Sequence, residues 1–518
     1  MRSRQRSLRK PLAFMSLSPD DARRGELPIA VAAIVASLAA SALHWHFDPL
    51  VNPDGVAYLL AAQAWLDSGY SAAAAVYPFP VYSILIALTH SVTGLSLLTS
   101  AHCLDAATLA ALIVALARLG RAAGGSVRVQ ACIVVLALLL PELNEYRSFV
   151  LRDFGYWMLS TFALTALIRF AIEPRTRFVV AYLAAGVGGA LFRTEAIALL
   201  LLMPIAFAFV PERRRFAIML YASLATALTL VAAAVAMHPD AATSQWIVES
   251  ARKFAALLAD LPIRAHAQWQ GFAYGVLDPR FHDYAAFGVV GGLATMVIVH
   301  VVIAVSVPLF AVAVVGLFAG SLRAIDRRAV PVLATAFAVA VAGVALVLAA
   351  RGIIQTRYAL PAGLLLVVVA AFAIDDALVR FADARKLRLA IGLALAYYVV
   401  EGAFGLANSK QQYVLAADWL ANHTKPDARI FSDDARVVFL AGRHVDGYEL
   451  ERLGALDPSP PAFGDYDYVV LLDSRKRRAL VGDAVPWNLG EVARFESRKG
   501  EAITIYRVEP TTPLGRTP

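Results

Sequence analysis

Cysteine is nearly absent from the 518 residues, and charge is scarce. The two cysteines, Cys103 and Cys132, both lie in apolar runs. That setting suits packing residues and offers no disulfide framework. No Cys-x-x-Cys or His-Glu-x-x-His motif occurs, and His44, His46, His90, His102 and His300 are scattered singly along apolar runs. A structural metal site is therefore not signalled. Charged residues make up 17% of the chain, against about 25% in an average soluble domain. The net charge of +8 does not mark a nucleic-acid surface. The arginines cluster in short loops between apolar runs, as the positive-inside rule places them, so no nucleic-acid partner is expected.

What fills the chain instead is apolar sequence. Hydrophobic residues reach 59% and the mean hydropathy is +0.63. The excess falls in runs of roughly 17–25 residues, the length of a helix that spans hydrocarbon. The expected fold class is a polytopic α-helical membrane protein of about 11–13 transmembrane helices, closed by a small C-terminal α/β domain. The N-terminus is basic (Arg2, Arg4, Arg6, Arg9, Lys10, Arg23, Arg24) and precedes the apolar run 27–45. That run is longer than a signal-peptide core of about 7–15 residues. An uncleaved first span with a cytoplasmic N-terminus is the reading, with cleavage near Ala39 to Ala42 as the alternative.

Alternating crossings put the basic loops on one side and the loops 46–78, 141–153, 238–284 and 351–357 on the other. The stretches 79–117 and 285–320 are longer than one span, and each is expected to hold an additional or partial helix. A short surface helix is expected over 54–67, where Val56, Leu59, Leu60 and Leu66 recur at near-helical spacing. From 408 onward the chain turns polar. Strands are expected at 428–431, 437–440, 468–472 and 503–508, and a helix around 416–421. Three parts follow: a cytoplasmic N-terminus (1–26), a membrane domain (27–407) and an extracytoplasmic α/β domain (408–518).

The first outer loop carries Asn52-Pro53-Asp54-Gly55-Val56-Ala57-Tyr58. Asp54 reads as a general base at the membrane face or as the N-cap of the 54–67 helix. Asp153, at the outer mouth of a later helix, reads as a second carboxylate or as the partner of Arg152 or Arg147. Arg193 and Glu195 sit in the middle of a hydrophobic hairpin, where charges are costly and tend to mark sites; a pair satisfied within the turn is the other reading. Arg351, Arg357 and Tyr358 bound a short outer loop, and the arginine fork suits phosphate.

The order of these motifs resembles the GT-C superfamily of membrane glycosyltransferases, and most closely the branch of the protein O-mannosyltransferases and the aminoarabinose lipid A transferase. Pro53-Asp54-Gly55-Val56-Ala57-Tyr58 stands where members carry Pro-Asp-Glu-x-x-Tyr. Pro78-Phe79-Pro80-Val81-Tyr82 stands for Pro-Pro-Leu-Tyr, the segment Ser148 to Asp153 for the second-loop aspartate, Arg193-Thr194-Glu195 for an Arg-x-acid turn, and Arg357-Tyr358-Ala359-Leu360-Pro361 for Arg-Tyr-x-x-Pro. Two departures stand out: Gly55 replaces the acidic partner of Asp54, and Tyr77 stands where a lysine often precedes the double proline.

The resemblance implies sugar transfer from a polyprenyl-phosphate donor to a glycolipid, glycan or protein acceptor on the periplasmic side of a bacterial inner membrane. Asp54 and Asp153 are then catalytic, and Arg193, Glu195, Arg351, Arg357, Tyr358, Tyr58 and Tyr82 bind substrate or phosphate. No cofactor follows with certainty. A divalent metal is compatible, although Gly55 removes one of its ligands. A flippase of lipid-linked sugars and an inactive assembly partner are the competing classes. Against the flippase, no repeated half is seen.

Overall fold

The computed structural model of the protein describes residues 19–48, 50–208, 210–238, 242–381, 385–407, 410–443, 466–473, 489–497 and 500–509. Most of the basic N-terminus lies outside the described residues.

Helix α1 (Pro19–Phe47) is followed by α2 (Pro53–Ser68), α3 (Tyr70–Val76), α4 (Val81–Thr93) and α5 (Leu97–Ala122). Gly94 ends α4 with a φ of 70°, a left-handed C-cap that glycine adopts readily. Ser96 then starts α5 by accepting a bond from the Thr99 amide at 3.1 Å. The stretch 79–117 thus divides into a short helix and a full span. Helices α6 (Val127–Leu139) and α7 (Pro141–Glu145) form a pair bent by 52°, with Pro141 at the break. Then come α8 (Asp153–Ile172), α9 (Thr176–Phe192), α10 (Glu195–Leu202), α11 (Ile205–Ala208), α12 (Arg214–Met237) and the long α13 (Ala242–Val276). Helices α14 (Ala285–Val305) and α15 (Val307–Phe318) are separated at Ser306, whose φ is 68° and whose hydroxyl meets the Tyr398 hydroxyl. Helices α16 (Val330–Arg351), α17 (Thr356–Arg380) and α18 (Arg385–Ala407) complete the membrane domain.

Seven helices among the described residues are long and apolar enough to cross a membrane: α1, α5, α8, α12, α14, α16 and α17. The bent α6–α7 pair makes an eighth if it is one span. Helices α4, α9, α15 and the α10–α11 pair are apolar but shorter. The expected count of about 11–13 is reached only when these shorter helices are included. Helices α5, α8 and α17 form the centre, with 61%, 67% and 61% of their most apolar window buried, against 11% for α12. In lipid, packing rather than hydrophobicity holds helices together, so small residues mark the contacts. Gly155 is one: a Cβ there would fall 2.3 Å from the Phe192 ring, which fixes how closely α8 and α9 approach.

The C-terminal part is a four-stranded sheet of β1 (Ile430–Ser432), β2 (Tyr468–Asp473), β3 (Leu489–Glu496) and β4 (Ala502–Val508), in the order β1-β2-β4-β3. The β1–β2 pair is parallel and the others antiparallel. Helix α19 (Gln411–His423) covers one face, packing Tyr413, Ala416 and Leu420 on Val470, Ile503 and Ile505. Residues 437–440 are not the expected strand. They belong to helix α20 (Ala435–Leu440). The side chain of Asp434 caps it at the Arg436 amide, and spacing by four puts Val437 and Ala441 in the domain core while Ala435 and Phe439 pack toward α2. Tertiary packing on both sides overrides the strand preference of the valines. Leu50, between α1 and α2, inserts into the same core. The C-terminal domain therefore buttresses the segment between α1 and α2.

Candidate active site

Four chain segments converge at one end of the central helices. Asp54 lies second in α2, after Pro53 at the first helical position and Asn52 at the cap. It is therefore not the N-cap. Asn52 does not cap its own helix either; its side-chain oxygen accepts from the Val150 amide at 2.8 Å and ties the loop before α8 to the start of α2. The Asp54 carboxylate accepts from Arg357 Nη1 at 2.7 Å. Arg357 is second in α17, 303 residues along the chain from Asp54. Gly55 is required where it stands. A Cβ would lie 2.6 Å from Asn52 Oδ1 and 2.9 Å from Val150 Cβ, so an acidic side chain has no room there.

Asp153 opens α8 and is 1% exposed. Its partner is neither Arg152 nor Arg147 but Arg193, whose Nη1 donates to Asp153 Oδ1. The same guanidinium grips Glu195 with Nη2 at 2.6 Å and Nε at 3.2 Å. Burial pulls the Arg193 pKa down, and the two carboxylates outweigh it, holding the group charged and well above its ordinary range. The turn thus satisfies itself, and it also reaches across to Asp153. The Tyr358 ring lies between two cations, 5.1 Å from Arg193 Cζ and 5.5 Å from Arg357 Cζ. Arg351 ends α16, exposed and with no hydrogen bond or ion pair among the described residues.

Tyr58 and Tyr82 stand behind this group. Both are buried, and Tyr58 meets Tyr77 and Tyr82 edge to face. Burial raises the Tyr58 phenol well above its usual pKa. Tyr82 donates to Asp105 at 2.7 Å, and Asp105 also accepts from the Leu151 amide at 3.0 Å. Asp105 was not singled out in the sequence, although a carboxylate inside an apolar run is the kind of residue that signals a role. It fixes the segment leading into Asp153. Arg147 was also missed as a structural element. Its Nη1 reaches Ser37 and Ser41 of α1 and its Nε reaches Asn144, with no carboxylate partner among the described residues. It fastens the segment between α7 and α8 to α1.

Between α8, α10, α16 and α17 lies a cavity of about 180 Å³. Asp153, Arg193, Glu195, Arg351, Arg357 and Tyr358 form its polar end; Trp157, Leu164, Val344, Val347 and Leu365 line its apolar depth. Asp54, Tyr58 and Tyr82 do not line it.

No family model and no curated protein sequence matches the chain. Among solved structures it is similar to the oligosaccharyltransferase of Archaeoglobus fulgidus, crystallised as a complex with zinc and sulfate. The TM-score is 0.50 at 14% identity, over 93% of this chain and 73% of that one. The fold is of the GT-C type. At this identity the likeness concerns the fold alone.

The acidic residues of this site do not gather as metal ligands among the described residues. Among the described residues no three of His, Cys, Asp and Glu converge. Asp54 and Asp153 each face a guanidinium, and Gly55 has no space for a further ligand. Cationic charge comes from arginine. The three carboxylates and three arginines balance in formal charge, with Arg351 unpaired among the described residues.

Proposed function

We propose that the protein is an integral membrane glycosyltransferase that moves a sugar from a polyprenyl-phosphate carrier to an acceptor at the outer membrane face. The supporting observation is the cavity: an arginine-rimmed polar end continuous with an apolar shaft between spans, beside a carboxylate that lies just outside it. A phosphate fits the arginine rim and a prenyl chain the shaft. The motif series resembles most closely that of the protein O-mannosyltransferases and the aminoarabinose lipid A transferase, which supports this branch. The outer face is the periplasmic side of a bacterial inner membrane, with residues 27–407 as catalytic domain and 408–518 as a periplasmic domain.

Asp54, half-exposed, takes the proton of the acceptor hydroxyl or amine as that atom attacks the anomeric carbon. Arg351 and Arg357 stabilise charge on the departing phosphate. Arg193, locked by Asp153 and Glu195, keeps the polar end of the cavity in shape. A single displacement inverts the anomeric centre. The test is transfer from labelled undecaprenyl-phosphate sugars in proteoliposomes by the wild type, Asp54→Asn and Asp153→Asn. Both variants are expected to lose activity, and undiminished transfer by both overturns the assignment. A wild type inert with every donor returns the flippase and inactive-partner readings.

A further inference from the structure

Arg357 is the one described residue that touches both halves of this site. Its Nη1 holds Asp54, which lies outside the cavity, and its side chain lines the cavity itself. Its Nε is buried without a hydrogen-bond partner. A buried, unpaired donor on a charged group is costly and asks for an acceptor. Asp153, Glu195 and Asp54 lie nearby, but none accepts from this Nε among the described residues: Asp153 and Glu195 bond to Arg193, and Asp54 is taken on Nη1. Asp54 Oδ1 accepts no bond among the described residues, so the carboxylate keeps an oxygen free on its exposed side.

We propose that Arg357 is the electrostatic bridge of the reaction, holding Asp54 through Nη1 while Nε takes an oxygen of the donor phosphate. The proposal rests on reading the cavity as the seat of a lipid-linked phosphate. The acceptor O–H proton goes to Asp54 Oδ1. The acceptor oxygen bonds to the anomeric carbon, the bond from that carbon to the phosphate oxygen breaks, and its electron pair stays on the phosphate. One negative charge disappears at Asp54 and one appears on the phosphate. A guanidinium in contact with both compensates the loss at one edge with the gain at the other, without moving. Lysine, a single point charge, cannot span the two positions.

The bridge makes a binding prediction independent of turnover. Undecaprenyl phosphate, the lipid left after transfer, competes with Asp54 for Arg357. In nanodiscs, native mass spectrometry is expected to show Asp54→Asn binding this lipid several-fold more tightly than the wild type. The gain is expected to vanish in the Arg357→Gln background. Undecaprenol and inorganic phosphate serve as separate arms, and weak binding of both ties the site to a phosphate carried on a lipid. Thermal melting of Arg357→Gln and Arg357→Lys identifies any folding defect. If Arg357→Gln does not fold, the Lys background carries the cycle, with the gain there expected to be reduced. An Asp54→Asn gain that persists undiminished without Arg357 reflects general charge attraction and overturns the bridge, as does the lack of any gain in the wild-type background. If the wild type binds none of the three probes, the donor reading itself fails and the bridge falls with it.

Discussion

Asp54 and Asp153 are both carboxylates in the first turn of a helix, where the helix dipole favours negative charge, and both meet an arginine. The Asp153 side chain is 2% exposed and its Arg193 partner 8%, with Glu195 closing the other edge of the guanidinium. Asp54 is 43% exposed and Arg357 15%, and each keeps a polar atom, Oδ1 and Nε, without a hydrogen-bond partner among the described residues. The first pair is a closed triad suited to holding shape. In the second, the carboxylate faces water and the arginine lines the cavity with a donor still unused. The same residue types thus do different work according to how deeply the fold buries them and how many of the arginine's donors it has already used.

Four substitutions separate the two. Asp54→Asn is expected to lower the transfer rate by roughly 10²–10⁴, the usual worth of a positioned general base. It should move the melting temperature little, because a solvent-facing pair is worth about 0–1 kcal/mol. A large loss of stability there would remove the contrast. Asp153→Ala should do the reverse in emphasis. Leaving the Arg193 charge buried with half its partners gone costs about 3–5 kcal/mol, read as a fall in thermal or denaturant midpoint in detergent. Retained stability would show that Glu195 alone satisfies Arg193.

Gly55→Ala tests the seam between the two carboxylates. The added methyl meets Asn52, Val51 and Val150, and overpacking of this kind costs about 1–3 kcal/mol. Activity should fall with it, since Asn52 links the loop before Asp153 to the start of α2. Smallest in stability is Arg351→Gln, an exposed position where less than about 0.5 kcal/mol is expected. The donor concentration for half-maximal transfer should rise while the saturated rate stays close to wild type. An unchanged half-saturation concentration would take Arg351 out of the phosphate seat.

Much of the membrane domain was legible because hydropathy and length act locally. The run 79–117 was seen to exceed one span, and Gly94 resolves it into α4 and α5. The run 285–320 likewise breaks at Ser306. The strand-like segment 437–440 was misread. Valine and phenylalanine favour strands in isolation, but Asp434 caps a turn and the two packed faces at spacing four demand a helix. Strand β3 went unseen because it alternates weakly and none of its residues is buried. Among polar residues, the sequence marked Asp54, Asp153, Arg193, Glu195, Arg351 and Arg357 as candidates. It did not pair them. Local neighbours such as Arg152 and Arg147 seemed the natural partners of Asp153, yet Arg152 lies over the rings of Tyr77 and Phe79 and Arg147 is taken by α1.

The sequence by itself determined that this chain is a bundle of apolar helices with charge confined to its loops, a tailing α/β domain, and an ordered series of acidic and basic motifs. Those properties follow from the solvation of side chains and backbone in lipid, which each segment satisfies alone. Only the tertiary structure decided that Arg357 meets Asp54 from 303 residues away, that Arg193 reaches Asp153 across 40, and that Gly55 is forced by Asn52 and Val150. Such pairings depend on which helices pack together, and that is settled by the fit of small residues and buried polar groups over the whole bundle.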